Sequence, residues 1–160
     1  MIKGTDQRVV LASSNAGKLR ELGSMLTKLS IELVAQQQLG IDDAIEDGLS
    51  FVENAIIKAR HASLQADLPA IADDSGLEVP ALDGAPGIYS ARYAGEHARD
   101  ADNNAKLLHD MQHLDGAERN ANFRCAIIWL RHPKDPVPLI AQGCWQGRIL
   151  AAPQGSHGFG

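Results

Sequence analysis

The feature that most constrains this chain is a change of period near its start. Residues 9–12 are apolar without interruption and are closed by Arg8 and Ser13, the composition of a strand buried on both faces. From Ala16 the spacing changes. Leu19, Leu22, Leu26 and Leu29 recur at intervals of three, four and three, which is the stripe of an amphipathic helix. A strand that needs cover on both sides and runs straight into a helix is the opening of an α/β fold.

The rest of the chain continues that pattern. Residues 31–35 read as a second strand, and 36–48 as a polar, acidic loop. Ser50 with Glu53 forms a capping box, and Phe51, Val52, Ala55, Ile56, Ala59 and Ala62 share one side of the helix it starts, which is expected to reach about Gln65. Residues 70–73 form the next strand, and 77–79 either extend it or pair as a hairpin. Residues 82–95, rich in Gly and Ala, read as irregular. A third helix is expected over 100–114, with Leu107, Leu108, Met111 and Leu114 inward. The β-rich runs 123–130 and 137–145, separated by His132-Pro133-Lys134-Asp135-Pro136, read as an antiparallel hairpin, which makes the sheet mixed.

Bulk properties exclude several functions. At 160 residues the chain is long enough for one self-sufficient domain. A net charge of −5 with scattered Lys and Arg, and an aromatic content of 4%, leave neither a phosphate-backbone grip nor a stacking platform for a nucleic-acid polymer. No apolar stretch is long enough to span a membrane, and Met1 opens no leader, so the cytoplasm is the expected compartment. Cys125 and Cys144 lie in apolar, strand-like settings and are expected to be buried thiols in a reducing compartment, without a disulfide.

Two strand ends carry the candidate chemistry. After the first strand, Ser13, Ser14, Asn15, Ala16, Gly17 and Lys18 place hydroxyls, an amide, helix-start N–H groups and an ammonium where one anion can meet them. Lys18 and Arg20 oppose the dipole of that helix, a cost that a bound phosphate removes. The segment is not a Walker P-loop, because its first glycine is missing and Leu19 stands where a magnesium-binding hydroxyl belongs. A capped helix with exposed basic residues explains it equally.

At the end of the third strand stand Asp73 and Asp74. In extended backbone they point to opposite faces, so one of them is expected to enter a given cleft. Asp74, beside Ser75 and Gly76 at the strand exit, is the candidate to hold Mg²⁺ through oxygen and to accept a proton from water. A turn whose side chains satisfy local backbone is the competing reading.

Glu46, in an acidic loop that no helix cap explains, is a candidate second metal carboxylate, whereas Glu53 already has a place in the capping box. Asn54, Lys58 and His61 share one helix flank. Lys58 is a candidate phosphate ligand, against an ordinary solvated face. His109 and His113 lie opposite the Leu107/Met111 stripe and are expected to face water, which argues against zinc. No G-x-S-x-G elbow supports Ser75 as a nucleophile.

Four segments carry a resemblance: VLASSNAGK (10–18), FVENAIIKA (51–59), IADDSGL (71–77) and GAPGIYSARYAG (84–95). In this order and at these spacings the chain closely resembles the inosine triphosphate pyrophosphatase family, in its bacterial branch. The resemblance implies an elongated mixed sheet flanked by helices, two lobes with a central cleft, and a homodimer. It implies Mg²⁺-dependent hydrolysis of nonstandard purine nucleoside triphosphates (dITP/ITP, dXTP/XTP) to the monophosphate and pyrophosphate, cleansing the nucleotide pool. By motif match, residues 13–18 bind the triphosphate, Asp74 binds metal and accepts the proton, and Ser75 contacts substrate. Glu46 is then the other metal carboxylate and Lys58 a supporting phosphate ligand.

The family's pattern continues past residue 160 with Tyr-Asp-Pro, a further strand and helix, and a late Ser-His-Arg segment. The expectation is therefore a single domain lacking that segment, with Phe159 and Gly160 standing for the base-binding element. Two alternatives remain open at the level of sequence: a non-catalytic nucleotide-binding or dimerisation protein, and a pyrophosphatase for modified pyrimidine nucleotides.

Overall fold

The computed structural model of the chain describes residues 7–13 and 15–155, with Ala16 described by its backbone alone. In chain order the strands and α-helices are β1 (Gln7–Leu11), α1 (Ala16–Leu26), β2 (Ile31–Ala35), α2 (Phe51–Ala66), β3 (Ala70–Glu78), α3 (Asp100–Asp110), β4 (Asn120–Leu130) and β5 (Leu139–Arg148). The five strands form one mixed sheet in the order β2-β1-β3-β4-β5. β1 pairs in parallel with β2, from Gln7 opposite Ile31 to Leu11 opposite Ala35, and in parallel with β3, with Val10 opposite Ala70 and Leu11 opposite Ile71.

The continuous apolar run of β1 is there because both of its faces are covered. Val9, Leu11 and Ile71 pack with Leu19, Leu22 and Leu26 of α1. Val10, Ala12, Ala70 and Ala72 pack instead with Ala55, Ala59 and Ala62 of α2. Side chains alternate along a strand, so one face of the sheet belongs to α1 and the other to α2. The alanines on the α2 side let helix and sheet come close.

The chain's contacts divide it into two units. The first runs to Asp74 and takes in Ala126–Ala141; the second comprises Ser75–Cys125 and the chain from Gln142. The first unit holds the two layers just described. Its turn between β4 and β5 is organised by Asp135, a buried carboxylate that accepts from the N–H, Nε and Nη2 of Arg131 and from the N–H of Val137. The Arg131 guanidinium holds this carboxyl well below the usual range. Arg60 of α2 donates to the carbonyls of Pro133 and Asp135.

The second unit packs Val79, Leu107, Met111 and Ala121 with Leu77, Leu82, Tyr93, Leu114 and Ile149. Arg119 serves there as a four-way clamp, donating to the carbonyls of Met111, Leu114, Ile149 and Leu150.

Several expectations need correction. α3 ends at Asp110 rather than at residue 114, because Met111 leaves helical geometry and the Met111 and Leu114 carbonyls bond the Arg119 side chain. β3 continues unbroken through Gly76 to Glu78, the first of the two readings offered for it. The segment expected to be irregular holds short 3-10 turns at Pro80–Leu82 and Gly87–Arg92. The last two strands are longer than expected. The cysteines are not both buried. Cys125 is half-buried, and Cys144 is exposed because β5 is an edge strand solvated along its whole length; no disulfide joins them.

Candidate active site

The turn from β1 into α1 is built around Asn15. Its side-chain oxygen caps the helix, accepting from the N–H groups of Gly17 at 2.8 Å and Lys18 at 3.2 Å, while its own N–H donates to Ser13 Oγ. A Cβ at position 17 would stand 3.0 Å from that capping oxygen, so the cap closes best over glycine. Two of the N–H groups expected to meet an anion are thus already bonded to Asn15. Ser14, Phe159 and Gly160 lie outside the described residues, as does the side chain of Ala16.

Lys18 Nζ lies 2.5 Å from Asp73 Oδ2. Asp73 shares the α1 face with Ile71, and alternation turns the next carboxylate the other way. There Lys58 Nζ stands 3.2 Å from Asp74 Oδ1 and 3.5 Å from Glu46 Oε1. The structure therefore gathers Asp74, Glu46 and Lys58 at one point, within a single unit, and joins Lys18 to Asp73 rather than to Asp74. Ser75 follows Asp74 in the same strand.

Glu53 has the structural place expected of it. Ser50 Oγ accepts from its N–H, and its carboxylate accepts from the N–H of Leu49 and the hydroxyl of Ser50. His109 and His113 are exposed, as expected. In the second unit Leu77, Leu107, Leu108, Phe123 and Trp145 line an apolar pocket that holds none of these residues.

The carboxylates have capacity left over. Asp74 Oδ2 and Asp73 Oδ1 are buried and accept no hydrogen bond from any described residue. Buried acceptors are normally bonded, so an orphaned carboxylate oxygen beside a second carboxylate fits a hard cation. Among the described residues no group of three or more His, Cys, Asp or Glu stands close enough to cage a metal ion. One or two carboxylates completed by substrate phosphates is the usual habit of Mg²⁺.

A model of the Ham1 family matches residues 9–160. The chain belongs to the Ham1 family. Among curated relatives it is 58% identical to the dITP/XTP pyrophosphatase of Xanthomonas campestris pv. campestris (strain 8004), over 96% of this chain and 77% of that protein. It is 53% identical, over the same shares, to the dITP/XTP pyrophosphatase of Vibrio cholerae. Among solved structures, a HAM1 protein from Coxiella burnetii superposes with a TM-score of 0.90 at 46% identity, over 96% of this chain and 78% of that one. The Ham1 protein of Staphylococcus aureus superposes at 0.81 with 36% identity, over 96% and 77%. The family resemblance and the mixed α/β fold read from the sequence are both borne out.

Sequence reasoning missed two residues of this neighbourhood. Asn54 was visible on the flank of Lys58, but its complete burial was not. Gly48 carried no motif; its signal is a close approach that only three dimensions reveal.

Proposed function

We propose that the chain hydrolyses dITP, XTP and related nonstandard purine nucleoside triphosphates to the monophosphate and pyrophosphate, in keeping with the names its relatives carry. One observation supports the site above the others: a buried Asp74 Oδ2, without a hydrogen-bond partner among the described residues, beside Glu46 and Lys58. Asp74 and Glu46 are the residues to hold Mg²⁺. When bound, the ion supplies Lewis-acid stabilisation of polyphosphate charge.

The chain's own residues do the rest. Asp74 accepts the proton of a water whose oxygen bonds the α-phosphorus as the bond to the β-bridging oxygen breaks. Lys58, already seated against Asp74, orients that carboxylate and lends positive charge to the phosphates. Ser13, Asn15 and Gly17 shape the cradle, with Ser14 and Ala16 completing its sequence. Lys18 offsets charge on the departing pyrophosphate, and Ser75, Phe159 and Gly160 contact substrate. The working form is a homodimer in the cytoplasm. Among the described residues no helix is long and apolar enough to cross a membrane.

The test is pyrophosphate release from dITP against dATP, with and without Mg²⁺. Preferential, Mg²⁺-dependent release from dITP supports the reading. Release of orthophosphate, or equal turnover of both substrates, overturns it.

A further inference from the structure

Glu46 sits in a segment without regular structure, residues 41–48, yet its carboxylate must stand still to serve a metal. The segment is fastened to α2 at two places. The carbonyl of Asp42 accepts from His61 Nε2 at 2.9 Å, and the N–H of Gly48 donates to Asn54 Oδ1 at 2.9 Å. Asn54 lies one helical turn before Lys58, so the residue that pins the loop and the residue that touches Glu46 share a helix face.

The contact at Gly48 is unusually close. A Cβ there would stand 2.7 Å from Asn54 Oδ1, 2.7 Å from Glu53 Cβ and 3.0 Å from the Asn54 backbone nitrogen. No side chain fits at position 48 without moving the loop. Asn54 itself is fully buried, and its Nδ2 has no partner among the described residues. An amide here carries a desolvation cost that Ala55 or Ala59 does not. A position that served packing alone would be apolar.

We infer that Asn54, with Gly48 as its partner, is a positioning residue that sets Glu46 at the metal site. The inference rests on the reading of Glu46 and Asp74 as the metal carboxylates. Outer partners that orient metal ligands carry about 10- to 100-fold in metal affinity.

The test is Mn²⁺ binding, read as free Mn²⁺ by electron paramagnetic resonance, in wild type, Asn54→Ala, Asn54→Asp and Gly48→Ala, each checked for native circular dichroism. Asn54→Ala and Gly48→Ala are expected to bind Mn²⁺ about tenfold more weakly, and to need correspondingly more Mg²⁺ for half-maximal pyrophosphate release from dITP. Asn54→Asp keeps the oxygen that Gly48 donates to and is expected to retain tight binding. Where Asn54→Ala does not fold, Gly48→Ala carries the comparison. Unchanged Mn²⁺ affinity in the folded variants, or equal loss in Asn54→Asp and Asn54→Ala, overturns the role of Asn54 while leaving the site standing. Failure of wild type to take up Mn²⁺ overturns the metal reading beneath it.

Discussion

Lys18 and Asp73 meet at 2.5 Å and tie the first turn of α1 to the middle of β3. The Asp73 side chain is 7% exposed and that of Lys18 34%, so the carboxylate depends on the ammonium more than the ammonium depends on it. Asp74 turns to the opposite face, where Lys58 receives it.

Lys18→Met should therefore destabilise the fold by about 1–3 kcal/mol, by leaving a buried carboxylate without a partner. Asp73→Asn should cost less, and the double variant should recover part of the Lys18→Met loss. Urea unfolding at pH 7 of the four proteins measures the coupling; strictly additive losses would show that the pair does not interact.

Asp74→Asn keeps the shape and hydrogen-bonding reach of the side chain but removes its charge and its ability to take a proton. Pyrophosphate release from dITP should fall by about 10²–10⁴-fold or more, with the circular dichroism spectrum unchanged. Turnover within a few-fold of wild type would refute its role.

The Asp135 turn should make stability sensitive to acid. Its carboxyl titrates lower in the folded protein than in the unfolded chain, chiefly through hydrogen bonds from the Arg131 side chain. Such a group contributes stability above the unfolded value of about 3.9 and loses it as the pH falls toward the folded value. The melting temperature of wild type should exceed that of Asp135→Asn at pH 7, and the gap should narrow below about pH 4. A gap independent of pH would contradict this origin.

Tyr93 should report from the alkaline side. Burial first, and then the hydrogen bond to Asp110, push its hydroxyl up from 10.0 to about 12. Because the folded value is the higher one, the linked stability is complete below pH 10 and drains as the pH rises through about 12. The chain has two tyrosines, Tyr89 and Tyr93, so absorbance titration near 295 nm should resolve a late component that Tyr93→Phe removes. Two coincident titrations near pH 10 in wild type would count against the burial of Tyr93.

The fold was legible wherever a single period governed a segment. The run at residues 9–12 announced a strand covered on both faces, and the Leu19–Leu22–Leu26 stripe meets that strand from one side. Legibility failed where a distant side chain decided the outcome. No periodicity says that α3 stops at Asp110, because Arg119 receives the carbonyls that follow it. The candidate site divides in the same way. Asp74, Glu46 and Lys58 were named from local chemistry and stand together. The pairing of Lys18 with Asp73 follows from which helix covers which face of β3, which spacing along the chain does not reveal.

Arg119 has a further consequence. Its guanidinium fastens Ile149 and Leu150 to the turn after α3, beside the backbone bond from the Ile149 N–H to the Arg119 carbonyl. One side chain thereby bonds the carbonyls of both stretches at once. A lysine in that place offers a single point of attachment instead of a fork, so both stretches should open to proteases together, as one cooperative flap.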